Sequence, residues 1–118
     1  MLQVFEVDHP SMQVFKRHRI EELGWESPAH LRFIPHDFTQ PHLPAALAHS
    51  PFDARATSAV SWLGVTMYVP RHDVLTTLRS ITEVAGAGSM VIFDYLDRAA
   101  FLPATAAPRV SEMLRMAA

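Results

Sequence analysis

A chain of 118 residues, 49% hydrophobic and 19% charged, has room for one domain and enough apolar material for a core. Lys+Arg 10 against Asp+Glu 12 gives a net charge of −2, which excludes a basic nucleic-acid-binding face and an acidic disordered tail. With no cysteine there is no disulfide scaffold, thiolate zinc site or thiol nucleophile, and no apolar run reaches the roughly 18 residues of a membrane span.

The N-terminus has neither a basic flank nor a small-residue cleavage site, so the expectation is one cytoplasmic domain over residues 1–118. Leu2 to Val7 is rich in strand-favouring residues and stops at Asp8-His9-Pro10, where proline ends ladder pairing. A helix opens at Pro10 or Ser11 and closes at Gly24. Its spacing predicts Met12, Phe15, Ile20 and Leu23 inside, with Lys16, Arg17, Arg19, Glu21 and Glu22 in water. Leu31 to Pro35 reads as a second strand, and Leu43 to His49 as a short helix with Pro44 in its first turn.

Ala59 to Leu63 is a third strand, followed by a loop from Gly64 to Arg71. Asp73 to Ala85 carries Val74, Leu75, Leu78, Ile81 and Val84 at helical spacing. Gly86-Ala87-Gly88 reads as a helix cap and tight turn. It lies after a helix and before a strand, the reverse of the order a phosphate cradle needs. Met90 to Leu96 is the fourth strand. A Pro/Ala-rich link from Pro103 to Pro108 leads to a last helix with Val110, Met113 and Leu114 on one side. Alternating strands and helices with continuously apolar strands predict an α/β fold: a parallel sheet of about four strands flanked by helices.

In such sheets ligands bind beyond the carboxyl ends of the strands. Asp8, Asp37 and Asp94 are the acids near those ends; each also suits a cap or turn. An acid ending a strand commonly takes hydrogen bonds from a cofactor ribose, which singles out Asp8. The seven histidines include no HExxH motif and no i, i+4 helical pair, so no metal site is expected. No GxSxG elbow accompanies Ser58, Ser61 or Ser89, which argues against a serine hydrolase. Trp62, Met67 and Tyr68 cluster where the third strand opens; they suit an apolar pocket or plain core equally.

Four blocks then point the same way: Phe5-Glu6-Val7-Asp8-His9-Pro10, Lys16-Arg17, Phe33-Ile34-Pro35-His36-Asp37-Phe38 and Ser61-Trp62-Leu63-Gly64-Val65-Thr66-Met67-Tyr68. In this order they resemble the leucine carboxyl methyltransferase family, S-adenosylmethionine-dependent enzymes with a Rossmann-like fold, and the resemblance runs to about Asp97. It implies S-adenosylmethionine as cofactor, with Asp8 on the ribose, Asp37 on the exocyclic amine of the adenine, and Phe38 against its ring. The family often has Glu where this chain has Leu63, a missing polar contact of about 1.5–3 kcal/mol. Met1 falls at the family's second strand, so the resemblance implies an incomplete domain that lacks the first strand and its Gly-rich turn and is cut short at the C-terminus.

Two functions follow from that resemblance. One is methyl transfer to a carboxylate or other oxygen acceptor, in which alignment of donor and acceptor supplies much of the rate; Tyr68 and His9 are the residues that could take a proton, and no motif supports either. The other is a non-catalytic α/β binding or oligomerising module. Strands sit about 4.8 Å apart, so omitting one between the first and third leaves about 9.6 Å. The sheet then either closes up in the order second, first, third, fourth, or takes a segment of another chain. Homo-oligomerisation is the expected outcome, because Trp62, Met67, Phe101 and Met113–Met116 are expected to be poorly covered.

Overall fold

A computed structural model describes residues 1–102 and 108–117. The elements alternate as the sequence predicts: β1 (Val4–Asp8), α1 (Pro10–Glu22), β2 (Leu31–Pro35), α2 (Leu43–Ala48), β3 (Ala59–Trp62), α3 (Arg71–Val84), β4 (Met90–Phe93) and α4 (Pro108–Ala117). Short 3-10 turns at Thr66–Tyr68 and Arg98–Phe101 interrupt the loops. The fourth strand is shorter than expected and stops before Asp94, whose main chain and side chain are engaged elsewhere. Residues 103–107 of the Pro/Ala-rich link, and the side chains of Phe101 and Leu114, lie outside the described residues.

The fold is α/β with parallel strands flanked by helices, but the four strands form two pairs, β1 with β2 and β3 with β4. The closed-up order is not formed, because β1 and β3 share no hydrogen bonds. A common core holds the pairs in place: Ile34 of β2, Leu43 and Leu47 of α2 and Ile81 of α3 are buried together, with Phe5, Val7 and Val60 packed on them. Phe52, in the loop before β3, also stands edge-on to Phe5 at 5.2 Å. Bringing β1 against β3 would require this cluster to repack.

Side-chain alternation fixes which face each helix covers. Phe5 and Val7 face α2 and α3, whereas Glu6 and Phe33 meet Lys16 and Arg17 of α1 on the opposite face. Helix α1 thus covers one face of the β1–β2 pair, and the cluster formed with α2 and α3 covers the other.

The inner face of α1 differs from the periodic expectation. Met12 and Phe15 are 53% and 68% exposed and Leu23 is also exposed, while Gln13 is buried. The Gln13 amide donates to the Glu6 carbonyl at 3.0 Å and the Ile34 carbonyl at 3.1 Å, one carbonyl on each strand of the pair. Lys16 pairs with Glu6 at 2.6 Å, and the Arg17 guanidinium lies 5.3 Å from the Phe33 ring centroid. These polar contacts, not hydrocarbon, seat the helix. Gly24 ends it at φ 66°, its N–H bonded to the Glu21 carbonyl at 2.9 Å. On α3, Ile81 is buried and Leu78 and Val84 pack on the core, but Leu75 is exposed and Thr77 and Ser80 are buried instead. Trp62, expected to be poorly covered, is 6% exposed.

Candidate functional site

The C-terminal ends of β1 and β2 put the two sequence-predicted acids side by side. Asp8 is in register with Pro35, and its carbonyl accepts the His36 N–H at 2.9 Å, so Asp37 follows at the same rim. One Asp8 carboxylate oxygen takes the His9 N–H at 2.7 Å; His9 caps α1, with its Nδ1 2.7 Å from the Ser11 hydroxyl. The Asp37 carboxylate receives the Thr39 N–H at 2.9 Å and the Thr39 hydroxyl at 2.7 Å on the same oxygen. Those two bonds hold its pKa below the ordinary carboxylate value, with smaller help from His9 and His36. Both acids are half-buried, and among the described residues each keeps a carboxylate oxygen that bonds no protein group.

Phe38 closes the same rim. Its ring is perpendicular to His36 at 5.1 Å and tilted against Trp62 at 5.6 Å, which links the end of β2 to the end of β3. His36 and Trp62 are both 6% exposed, and His36 Nε2 and Trp62 Nε1 are buried with no partner among the described residues. Neither residue's burial is readable from its neighbours in sequence. Burial pushes the His36 imidazole below its ordinary value; the Asp37 carboxylate opposes that shift and His42 adds to it.

A lowered histidine pKa has a definite pH consequence. The unfolded chain binds the proton more readily, so the stability carried by neutral His36 is complete above about pH 6.5 and is lost as pH falls through the lower folded-state value. Asp37 contributes in the same direction, but only below the ordinary carboxylate value of 3.8. Melting the chain at intervals from neutral pH down through about pH 5 should show a falling midpoint, and His36→Gln should flatten that fall. Parallel curves for the two proteins would remove His36 as the cause.

Asp94, the third candidate acid, does not join this rim pair. Its two carboxylate oxygens lie 2.9 and 3.0 Å from the Gly64 N–H, and its carbonyl accepts the Thr66 hydroxyl. It ties the loop after β3 to the end of β4, a role that sequence reasoning missed. The sequence offered only its fit to a turn and the glycine at position 64, held here at φ 71°. Tyr68 is exposed and Leu63 is largely exposed on that loop. A cleft of about 490 Å³ lies away from the rim, between the later turns of α1 and the start of β2, bordered by Trp25 and Leu31. Among the described residues no three His, Asp or Glu side chains gather into a metal set, and no helix is long and apolar enough to cross a membrane.

Paired acids at the carboxyl ends of adjacent parallel strands, with helices on both faces, stand where open α/β folds carry their ligands. The comparisons with known proteins name the class more closely. The leucine carboxyl methyltransferase profile matches residues 1–82, and the chain belongs to that family. It is 36% identical over 117 residues to a Bacillus subtilis protein named as an S-adenosyl-L-methionine-dependent methyltransferase, covering 99% of this chain and 38% of the relative. Relatives with the same description in Mycobacterium tuberculosis, 33% identical over 97% of this chain, and in Mycolicibacterium gilvum, 31% over 95%, are each covered over 36% of their length. The chain thus spans little more than a third of these relatives.

Proposed function

We propose that this chain supplies the adenosine-binding part of an S-adenosylmethionine site in methyl transfer to a carboxylate or another oxygen acceptor. The observation that carries the reading is the rim itself: Asp8 and Asp37 end adjacent strands, each with a carboxylate oxygen to spare, beside the Phe38 ring. Asp8 accepts the ribose hydroxyls, Asp37 the exocyclic amine, and Phe38 lies against the adenine. Asp37, whose pKa lies below the ordinary carboxylate value, is an ionised acceptor at neutral pH. S-adenosylmethionine supplies the methyl group on its sulfonium. The chain's own part is to bind and orient the nucleoside end, and the Asp94–Gly64 tie steadies the loop that borders it.

Leu63 offers no carboxylate beside Gly64, and no Gly-rich turn follows a strand to hold the methionine end. Several contacts at about 1 kcal/mol or more each are therefore missing, enough to move a micromolar site to about millimolar. Calorimetric titration of the pure chain should show S-adenosylmethionine binding at about millimolar strength or weaker. A micromolar dissociation constant would overturn that expectation.

The second reading, a non-catalytic α/β module, is favoured by one observation: the four strands form two separate pairs, with β1 and β3 not bonded to each other. The two readings part in a longer family member that carries these same residues. There Asp8→Ala should weaken cofactor binding by tenfold or more, about 1.4 kcal/mol, and by clearly more than Asp94→Ala, which loosens a loop without touching the nucleoside. Equal losses would remove Asp8 from the site.

A further inference from the structure

We propose that His36 is a positioning residue for the nucleoside site: its buried ring sets the Phe38 ring at the angle at which an adenine is covered. The proposal rests on the reading of the rim as an adenosine site. Phe38 lies beyond the β1–β2 ladder, so no strand pairing fixes its side chain. Its main chain is fixed by a turn. The Gln40 N–H donates to the Asp37 carbonyl at 2.9 Å, and Thr39 bonds the Asp37 carboxylate through both its N–H and its hydroxyl. The half-buried Phe38 ring is left to its aromatic neighbours.

His36 is the neighbour that can set an angle. Its ring stands perpendicular to Phe38 at 5.1 Å, with interplanar angle 87°. That is a preferred aromatic geometry, because the positive edge of one ring meets the negative face of the other. Trp62, tilted by 37° at 5.6 Å, adds contact area. His36 is itself held firmly: its N–H donates to the Asp8 carbonyl at 2.9 Å, and it is 6% exposed. The rim acid assigned to the ribose and the ring assigned to the adenine are thus tied through one residue.

The imidazole is kept there at a cost. Its Nε2 is buried with no partner among the described residues, and a buried unbonded nitrogen is unfavourable. Leucine would fill a similar volume without that cost, but it has no flat edge to present. A ring fixed before the ligand arrives spares the ligand the entropy of ordering it. Asp37 and His42 are the groups whose charge acts on His36, and His9 acts on Asp37. Burial favours the neutral imidazole. Proton uptake expels the charged ring from its buried place and releases Phe38.

The test uses the chain itself, with adenosine as the probe and proton NMR as the readout. One titration gives two quantities. The first is the dissociation constant. The second is the limiting upfield shift of the two adenine ring protons, which reports the angle and closeness of Phe38 whatever the affinity. His36→Leu should weaken adenosine by about three- to tenfold and shrink the limiting shift. His36→Phe, which keeps a flat edge, should leave both near those of the unsubstituted chain. Acidification from neutral to about pH 5, at a temperature where circular dichroism shows the chains folded, should shrink the shift in the unsubstituted chain and not in His36→Phe. His9 and His42 are present in both, so the difference belongs to His36, and this comparison stands even where His36→Leu fails to fold.

The proposal is overturned if His36→Leu keeps both affinity and shift, or if His36→Phe loses as much as His36→Leu. It is also overturned if affinity falls with the shift unchanged, the mark of a merely structural role, or if acid acts on both chains alike. Adenine protons that never move with the unsubstituted chain would sink the adenosine reading and this proposal together. Every other failure leaves that reading standing.

Discussion

Ile81→Ala is expected to unfold the chain, while Met12→Ala and Phe15→Ala leave it folded. Ile34, Leu43, Leu47, Trp62 and Ile81 are the buried hydrophobic residues among those described. Ile81 joins α3 to β2 and α2 in one cluster against which Phe5 and Val60 pack. Truncating such a residue costs about 2–5 kcal/mol, against a total stability of about 5–15 kcal/mol for ordinary domains. A core this small sits at the low end of that range. Met12 and Phe15 stand in the same kind of periodic pattern but expose more than half of their surface, so little is lost with them. Urea unfolding followed by circular dichroism reads all three. A midpoint unchanged by Ile81→Ala, or shifted as far by Phe15→Ala, would contradict the assignment of the core.

Gly86→Ala should lower stability by about 1–3 kcal/mol, the range of an overpacked site. A Cβ there would stand 2.5 Å from the Arg55 carbonyl oxygen and 2.6 Å from that of Ala56. Both are main-chain atoms and cannot swing aside. The approach is close because the segment entering β3 is laced to the turn entering β4. The Thr57 hydroxyl reaches the Ala87 carbonyl at 3.2 Å, and the Ser58 N–H reaches the Ser89 hydroxyl at 2.9 Å. Forcing them apart strains the pairing of Ala59 with Met90, where the ladder begins. Gly64→Ala is the comparison, with open space around its Cβ and only a left-handed φ of 71° to support, about 1–2 kcal/mol. Urea midpoints falling for Gly64→Ala but not for Gly86→Ala would refute the close-approach argument.

Much of the fold was legible because it is written in local signals. Pro10 and Gly24 bracket α1 and Leu31–Pro35 bounds β2, as the residues themselves suggest. The face of α1 was not legible, because hydrophobic spacing cannot reveal that Gln13 has two strand carbonyls to bond. The fourth strand read too long for a similar reason: Asp94 leaves the ladder to hold Gly64, a partner 30 residues away. At the rim, Asp8 and Asp37 were visible as acids ending strands. The burial of His36 and Trp62 against Phe38 was not, since it exists only once the ends of β2 and β3 converge. The split into two strand pairs likewise depends on how α2 and α3 pack, which strand propensity does not report.

The seating of α1 carries a thermodynamic consequence. A carboxamide on two carbonyls, an ion pair and a guanidinium over one ring hold it to β1 and β2, and little hydrocarbon is covered in the seam. Lifting α1 off the sheet therefore wets little apolar area, so its heat-capacity change and its sensitivity to urea are both small. Opening of α3, which uncovers Ile81, has large values of both. The two helices thus belong to different cooperative units: one released by salt and by competition for its polar contacts, the other only by conditions that dissolve the core.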